Sequence, residues 1–267
     1  MRGRWWLRVC FEVVNDFFQV AVILVPGALR LGPVRVSVYG LFAAVGLIAA
    51  LWLSLKTARV VGLAAEQVWD AGLFGVVAAF VLSRLLLIGG DVRAFLQLPL
   101  VMLALPSLPY GGMVLTALAV VAYLQWKRLP LLKVMDAWAP CAAVLAAMLS
   151  LGRFFEGTDL GMPTRLPWGT VVPGSAGLVH LQPVAVYATV ASVVLMVVLM
   201  GLLQRRLRTG TVSGVGLVMG GVVGFLLDMI TQPAVSGGGA WLDPVQWMAL
   251  GAMLVGGLML TFLKEIA

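Results

Sequence analysis

Uninterrupted apolar runs separated by short polar breaks organise this chain. A hydrocarbon core about 30 Å thick is crossed by roughly 20 helical residues, and seven stretches of that order stand out: residues 37–55, 68–88, 110–126, 134–151, 183–203, 212–230 and 242–263. Two shorter apolar pieces behave differently. Residues 17–25 follow Glu12 and Asp16, while residues 94–105 are interrupted by Pro99 and stop at Pro106, so both read as interfacial or re-entrant segments. If residues 9–29 cross, they add an eighth, N-terminal span. The pattern predicts an all-α integral membrane protein with seven transmembrane helices, in which residues 1–36 form an interfacial or anchoring segment and residues 37–267 the membrane domain.

Composition agrees with the pattern. Apolar residues make up 62% of the 267 positions and charged residues 11%, and the mean hydropathy is +1.06. A soluble domain is about 45–50% apolar and about 25% charged, so a water-soluble globule is excluded, as is a disordered chain. The net charge of +7 does not indicate nucleic acid. Basic residues occur as pairs and triplets between apolar runs, without interleaved aromatics, which is the distribution of topology signals. With the start of the first span outside, the inner loops hold Lys56, Arg59, Lys127, Arg128, Lys133, Arg205, Arg206, Arg208 and Lys264, against Arg30, Arg35, Arg93, Arg153 and Arg165 outside. Cys10 and Cys141 are far apart and support neither a disulfide framework nor a Cys-x-x-Cys metal site.

The longest connection, residues 152–182, then lies outside and carries Glu156, Asp159, Arg165 and the single histidine, His180. Long Gly- and Pro-rich connections between spans are where functional backbone is concentrated.

Four ionisable residues lie in or at the edge of spans: Asp70, Arg84, Asp136 and Asp228. Each requires a partner or a wet cavity, because an ionised group at the bilayer centre costs about 2.5–3.5 kcal/mol on insertion scales. Asp70 and Arg84 share a helix but stand about 21 Å apart along it, so they do not pair. Asp136 lies near Lys133 and the inner loop and reads as a structural, interfacial acid. Asp228 follows Gly216, Gly220 and Gly224, small residues at spacing four that predict close approach of another helix. It is either an acid paired for folding or one that orients an Arg on an anionic head group. Arg84 and Arg153 are the phosphate candidates, since a guanidinium stays charged and binds phosphate oxygens bidentately; the competing readings are snorkelling for Arg84 and interfacial anchoring for Arg153. Arg153 falls within Gly152-Arg153-Phe154-Phe155-Glu156-Gly157, just past the fourth apolar run. His180 has no second ligand nearby, so it reads as polar surface or, less simply, as a base. Tyr39 and Tyr110 begin spans and precede glycine, placing them in the aromatic belt or beside a head group.

These positions, taken in order, resemble the bacterial prolipoprotein diacylglyceryl transferases. The similarity is carried by Gly32-Pro33 with Tyr39-Gly40, Arg84, Tyr110-Gly111-Gly112-Met113, and Asp136 with Ala139-Pro140. It continues through Gly152, Phe154, Gly157, Gly161, Pro163-Thr164, Leu166-Pro167-Trp168-Gly169, Gln182-Pro183, Tyr187 and residues 242–246. The resemblance implies a seven-span enzyme of the bacterial cytoplasmic (inner) membrane with an outer N-terminus. Such enzymes move the diacylglyceryl group of phosphatidylglycerol to the thiol of a lipobox cysteine at a prolipoprotein signal peptide, with no cofactor and no metal. It suggests Arg153, Tyr39, Tyr110 and Asp228 as catalytic residues, and Arg84, Gly152, Gly157, Gly161, His180 and Gln182 as substrate-binding ones.

The chain also departs from the pattern. Ser150 stands at the signature arginine, Arg153 at its asparagine, Thr158 at a glutamate, Tyr110 and Gln182 at histidines, Ala188 at a glutamate, and Gly224 and Asp228 at the Arg and Glu of an Arg-Phe-x-x-Glu motif that keeps Phe225. Two readings stay open: a divergent transferase with a rearranged site, or a non-catalytic lipid-binding subunit, partnered by other membrane subunits, on the same fold. A transporter ranks behind both, as neither inverted repeats nor paired broken helices are evident.

Overall fold

The computed structural model describes residues 28–31, 34–90, 92, 110–158, 161–174, 177–205, 207–231 and 242–265. The 17–25 and 94–105 segments lie outside these residues. Seven helices account for most of the chain: α1 (Val38–Val60), α2 (Ala65–Gly90), α3 (Tyr110–Trp126), α4 (Leu131–Glu156), α5 (Val184–Gln204), α6 (Thr211–Ile230) and α7 (Pro244–Glu265). Six are long and apolar enough to cross a bilayer, and α3, at 17 residues, is a shorter apolar helix. Each expected apolar run is thus a helix. The helices extend beyond the runs by up to five residues, because hydrogen bonding continues into the polar margins where hydropathy has already fallen.

Two elements were not expected. Strands β1 (Ala28–Leu31) and β2 (Val34–Ser37) form an antiparallel hairpin leading into α1, so residues 28 and 29 belong to a strand rather than to a span. Strands β3 (Thr170–Gly174) and β4 (Gly177–Leu181) form a second hairpin inside the long 152–182 connection.

Helix ends follow backbone chemistry. At the end of α4, Gly157 adopts φ +69°; its N–H donates to the Phe154 carbonyl at 3.1 Å, and the Thr158 N–H donates to the Arg153 carbonyl at 3.3 Å. This pair of bonds is a Schellman cap, which terminates a helix through a left-handed residue. The same two bonds close α3, where Arg128 takes the left-handed position with φ 55°. A side chain there costs about 1–2 kcal/mol.

The chain divides into two compact units, residues 1–50 with 139–267, and residues 51–138. In the second unit, Ala71, Leu124 and Val134 form a fully buried cluster covered by Val120, Tyr123 and Trp138, and Phe74 stacks on Tyr123 with centroids 4.3 Å apart. Asp136 is only 4% exposed there, so this acid is enclosed by protein. In the first unit, α6 and α7 run antiparallel in close contact. A Cβ on Gly221 would lie 2.7 Å from the Ala249 carbonyl oxygen, and one on Gly256 would lie 2.7 Å from that of Gly214.

The glycines at the tight seam are therefore Gly214 and Gly221, not the expected spacing-four series. Gly224 has nothing within 4 Å of an added Cβ, Gly220 meets only Leu195 at 3.9 Å, and Gly216 makes ordinary contact with Leu199 and Ala139. A step of seven residues returns to nearly the same helix face, whereas a step of four drifts by about 40°. Continuing that step of seven from Gly214 and Gly221 arrives at Asp228.

Apolar side chains are exposed in helical stripes. Val190, Val193, Val194 and Val197 on α5, and Leu41, Val45, Ile48 and Trp52 on α1, are each at least 44% exposed. In water such stripes would be aggregation sites; here they are surfaces for lipid.

Candidate functional site

The candidate site lies in the first unit, at the end where α4 stops, α5 begins, α6 stops and α7 begins. Its framework is a short extended segment after α4. The Gly161 N–H donates to the Gln182 carbonyl at 3.1 Å and the Gln182 N–H to the Met162 carbonyl at 3.1 Å, while the Met162 N–H donates to the Ile230 carbonyl at 2.9 Å. The Thr164 N–H donates to the His180 carbonyl at 2.8 Å. The segment thus bridges the β3–β4 hairpin to the last turn of α6. Gly161 is required by proximity: a Cβ there would sit 2.5 Å from the Gln182 carbonyl oxygen and 2.7 Å from Val184. Beside it, the Trp168 Nε1–H donates to the Tyr187 hydroxyl at 2.7 Å, fastening the loop before the hairpin to the first turn of α5.

A second set of contacts joins α1 to α4. Gly152 packs on Tyr39, where a Cβ would lie 3.3 Å from the Tyr39 Cα and 3.0 Å from the Phe42 Cβ. One turn on, Phe42 and Phe155 stack at 5.3 Å. The small residue at 152 is what lets the Tyr39 backbone approach the last turns of α4.

Gly152 and Arg153 therefore lie inside α4, in its last turns, and not in the connection that follows it. The apolar run ends at Leu151, but the helix persists until its Gly157 cap, so hydropathy marked the end of the span one turn early. The exposed Arg153 side chain stands at the helix C-terminus, where a cation is favoured by the dipole.

Asp228 is on the last turns of α6. Gln246 comes within hydrogen-bonding reach of its side chain, and the Asp243 carboxylate bears on its charge. Its Oδ2 is buried without a hydrogen-bond partner. The partner expected for this acid was an arginine; among the described residues, the group that reaches it is a neutral amide from α7. Gln246 is itself held by the start of that helix: the Asp243 N–H donates to its Oε1 at 3.4 Å. Asp243-Pro244-Val245-Gln246 has the spacing of a capping box, with Pro at the first helical position. The sequence reading assigned no role to Gln246 or Asp243, although this spacing was readable.

Among the first-unit residues singled out from sequence, Tyr39 and Gly152 meet, and Gly161, Gln182 and His180 are joined through one hydrogen-bonded segment to the end of α6 near Asp228. His180 is exposed on β4, paired with Val171. Arg84 and Tyr110 belong to the second unit. Arg84 lies late in α2 with its guanidinium 5.1 Å from the Phe80 ring centroid, and Tyr110 opens α3. Among the described residues, no group of three or more His, Cys, Asp or Glu is gathered for a metal ion.

The sequence model of the prolipoprotein diacylglyceryl transferase family matches residues 26–262. Individual relatives agree over comparable lengths. The phosphatidylglycerol–prolipoprotein diacylglyceryl transferase of Clostridium tetani is 23% identical over 236 residues, covering 86% of this chain and 94% of that protein. The enzyme of the same name from Aliivibrio fischeri is 29% identical over 246 residues, covering 88% and 87%, and that from Thermosynechococcus vestitus is 32% identical over 163 residues, covering 58% and 59%. The matched region takes in all seven helices nearly to the end of α7, both hairpins and the bridging segment. This chain belongs to the prolipoprotein diacylglyceryl transferase family.

Proposed function

We propose that this protein transfers the diacylglyceryl group of phosphatidylglycerol to the lipobox cysteine thiol of prolipoproteins, at the outer face of the bacterial cytoplasmic membrane. The observation that carries the reading is the family match across residues 26–262. In the reaction the thiol sulfur bonds to the terminal glyceryl carbon, the carbon–oxygen bond to phosphate breaks, and glycerol phosphate leaves with the electron pair. The thiol proton must go to a base, and the phosphate must be held by cations.

We assign the proton or its relay to Asp228, whose buried Oδ2 has an open acceptor site, and a phosphate contact to Arg153, exposed at the same end of the unit. Gly161, Gln182 and His180 form the polar wall that meets the glycerol phosphate, and Tyr39, on the backbone of Gly152, borders the head group. Gly157 ends α4 so that the chain turns toward that wall. For Arg84 and Tyr110, in the other unit, the proposal is of role alone: phosphate and head-group contact.

The reading of a non-catalytic lipid-binding subunit, assembled with other membrane subunits, draws on Ser150, which is 8% exposed where the family signature has arginine. One assay separates the two. Purified protein with phosphatidylglycerol vesicles and a lipobox peptide yields a peptide heavier by one diacylglyceryl group if the transferase reading holds. Lipid binding without product, under conditions where a relative turns over, supports the subunit.

A further inference from the structure

We infer that Gln246 is a positioning residue for Asp228, and that the start of α7 is built to aim its amide. The inference deepens the proposed function and rests on its assignment of Asp228. Two observations fix the orientation of the amide. Its Oε1 accepts from the Asp243 N–H at 3.4 Å, so its NH2 group points the other way, and that is the group a carboxylate can accept from. Its side chain also comes within hydrogen-bonding reach of Asp228. Asp228 Oδ2 has no partner, which leaves Oδ1 as the oxygen to receive the Gln246 amide. One oxygen is tethered and the other is left available to an incoming proton donor.

The backbone explains why the tether is precise. Gly214 and Gly221 set α6 and α7 at backbone contact, and Asp228 lies one further step of seven along the same face. Gln246 approaches on the antiparallel helix, a turn before Ala249, whose carbonyl faces Gly221. A hydrogen bond to a carboxylate is charge-assisted, stronger than one between neutral groups, and fixes the rotamer of its acceptor.

A purely structural role for Gln246 makes a different forecast, and one substitution divides the two. In Gln246→Glu the side chain keeps its length and its capping oxygen, and glutamate serves at this capping position as well as glutamine does. What it loses is the donor, and it brings a third carboxylate against Asp228 and Asp243. The expected result with phosphatidylglycerol vesicles and a lipobox peptide is a kcat lower by about tenfold or more. The KM for phosphatidylglycerol should stay within twofold, and the thermal unfolding midpoint should be unchanged. Gln246→Met, neutral and of similar length, should show the same kcat loss and covers the case in which the glutamate variant fails to fold.

Asp228→Asn is the reference. If it is impaired while both Gln246 variants turn over like wild type, Gln246 merely caps α7 and the inference is overturned with the transferase reading intact. If Asp228→Asn turns over like wild type, the assignment of Asp228 falls and the inference with it. Absence of product from the wild-type protein refutes the transferase reading itself, and with it any catalytic tether.

Discussion

Two helix pairs of this protein are built on different principles. In the first unit, α6 and α7 meet backbone to backbone at Gly214, Gly221 and Gly256. In the second, α2 and α3 are separated by side chains: Phe74 stacks on Tyr123, and the nearest atom to an added Cβ on Gly75 is the tip of Val120, at 3.3 Å. In lipid, where apolar surface gains little by being turned inward, pairing depends on van der Waals fit and on interhelical polar contacts. The glycine pair has both, since its seam ends in the bond between Gln246 and Asp228. The aromatic pair meets through side-chain fit, and one of its charged residues, Arg84, has its guanidinium over the Phe80 ring of its own helix. One pair is thus set by backbone contact and the other by adaptable side chains.

The sharpest way to break this contrast is to give each seam a side chain. Gly221→Leu should be the most damaging change, because the obstacle is the Ala249 carbonyl at 2.7 Å and not a movable tip. The helices must part, at a cost of about 3 kcal/mol, and transfer should be lost with the Gln246–Asp228 bond; a thermal unfolding midpoint equal to wild type would contradict the backbone-contact account. Gly161→Ala comes next. Its Cβ meets the Gln182 carbonyl at 2.5 Å, so the bridging segment should detach from the end of α6, lowering turnover by about tenfold for a local cost of about 1–3 kcal/mol. Normal turnover would separate that segment from the chemistry.

Smaller effects sharpen the comparison further. Trp168→Phe removes the donor to the Tyr187 hydroxyl, an exposed bond whose loss should cost about 0.5 kcal/mol, measurable as a small fall in the unfolding midpoint and as faster proteolysis of the 161–182 region. Gly75→Ala in the aromatic pair should change stability by less than about 0.5 kcal/mol, as the gain in helix propensity offsets the small displacement of Val120. A loss comparable with that of Gly221→Leu would erase the distinction between the pairs.

The sequence was most legible where physics is one-dimensional. Hydropathy located all seven helices, because span length is set by the bilayer. It did not locate all of their ends. Gly152 and Arg153 lie in α4 because a cap at Gly157, rather than the last apolar residue, ends that helix. The β3–β4 hairpin was hidden because its strands are five residues each, too short to show alternation against a Gly-rich background. The glycine seam was misread for a geometric reason: spacing four looks like a packing motif in any one helix, and only the partner helix reveals that 214, 221 and 228 face it. Gln246 was visible as the third residue of a capping box, yet nothing along the chain could show that the far side of its amide meets Asp228.

The account stands on the end of α6 being a chemical site and not just a packed one. Turnover of purified Asp228→Asn with phosphatidylglycerol vesicles and a lipobox peptide, read as diacylglyceryl-peptide mass against wild type, tests this most directly. The substitution keeps shape and a hydrogen-bonding side chain while removing the proton-accepting charge. A folded variant that binds phosphatidylglycerol normally but forms product at least about 100-fold more slowly is the predicted result; turnover within twofold of wild type would contradict it.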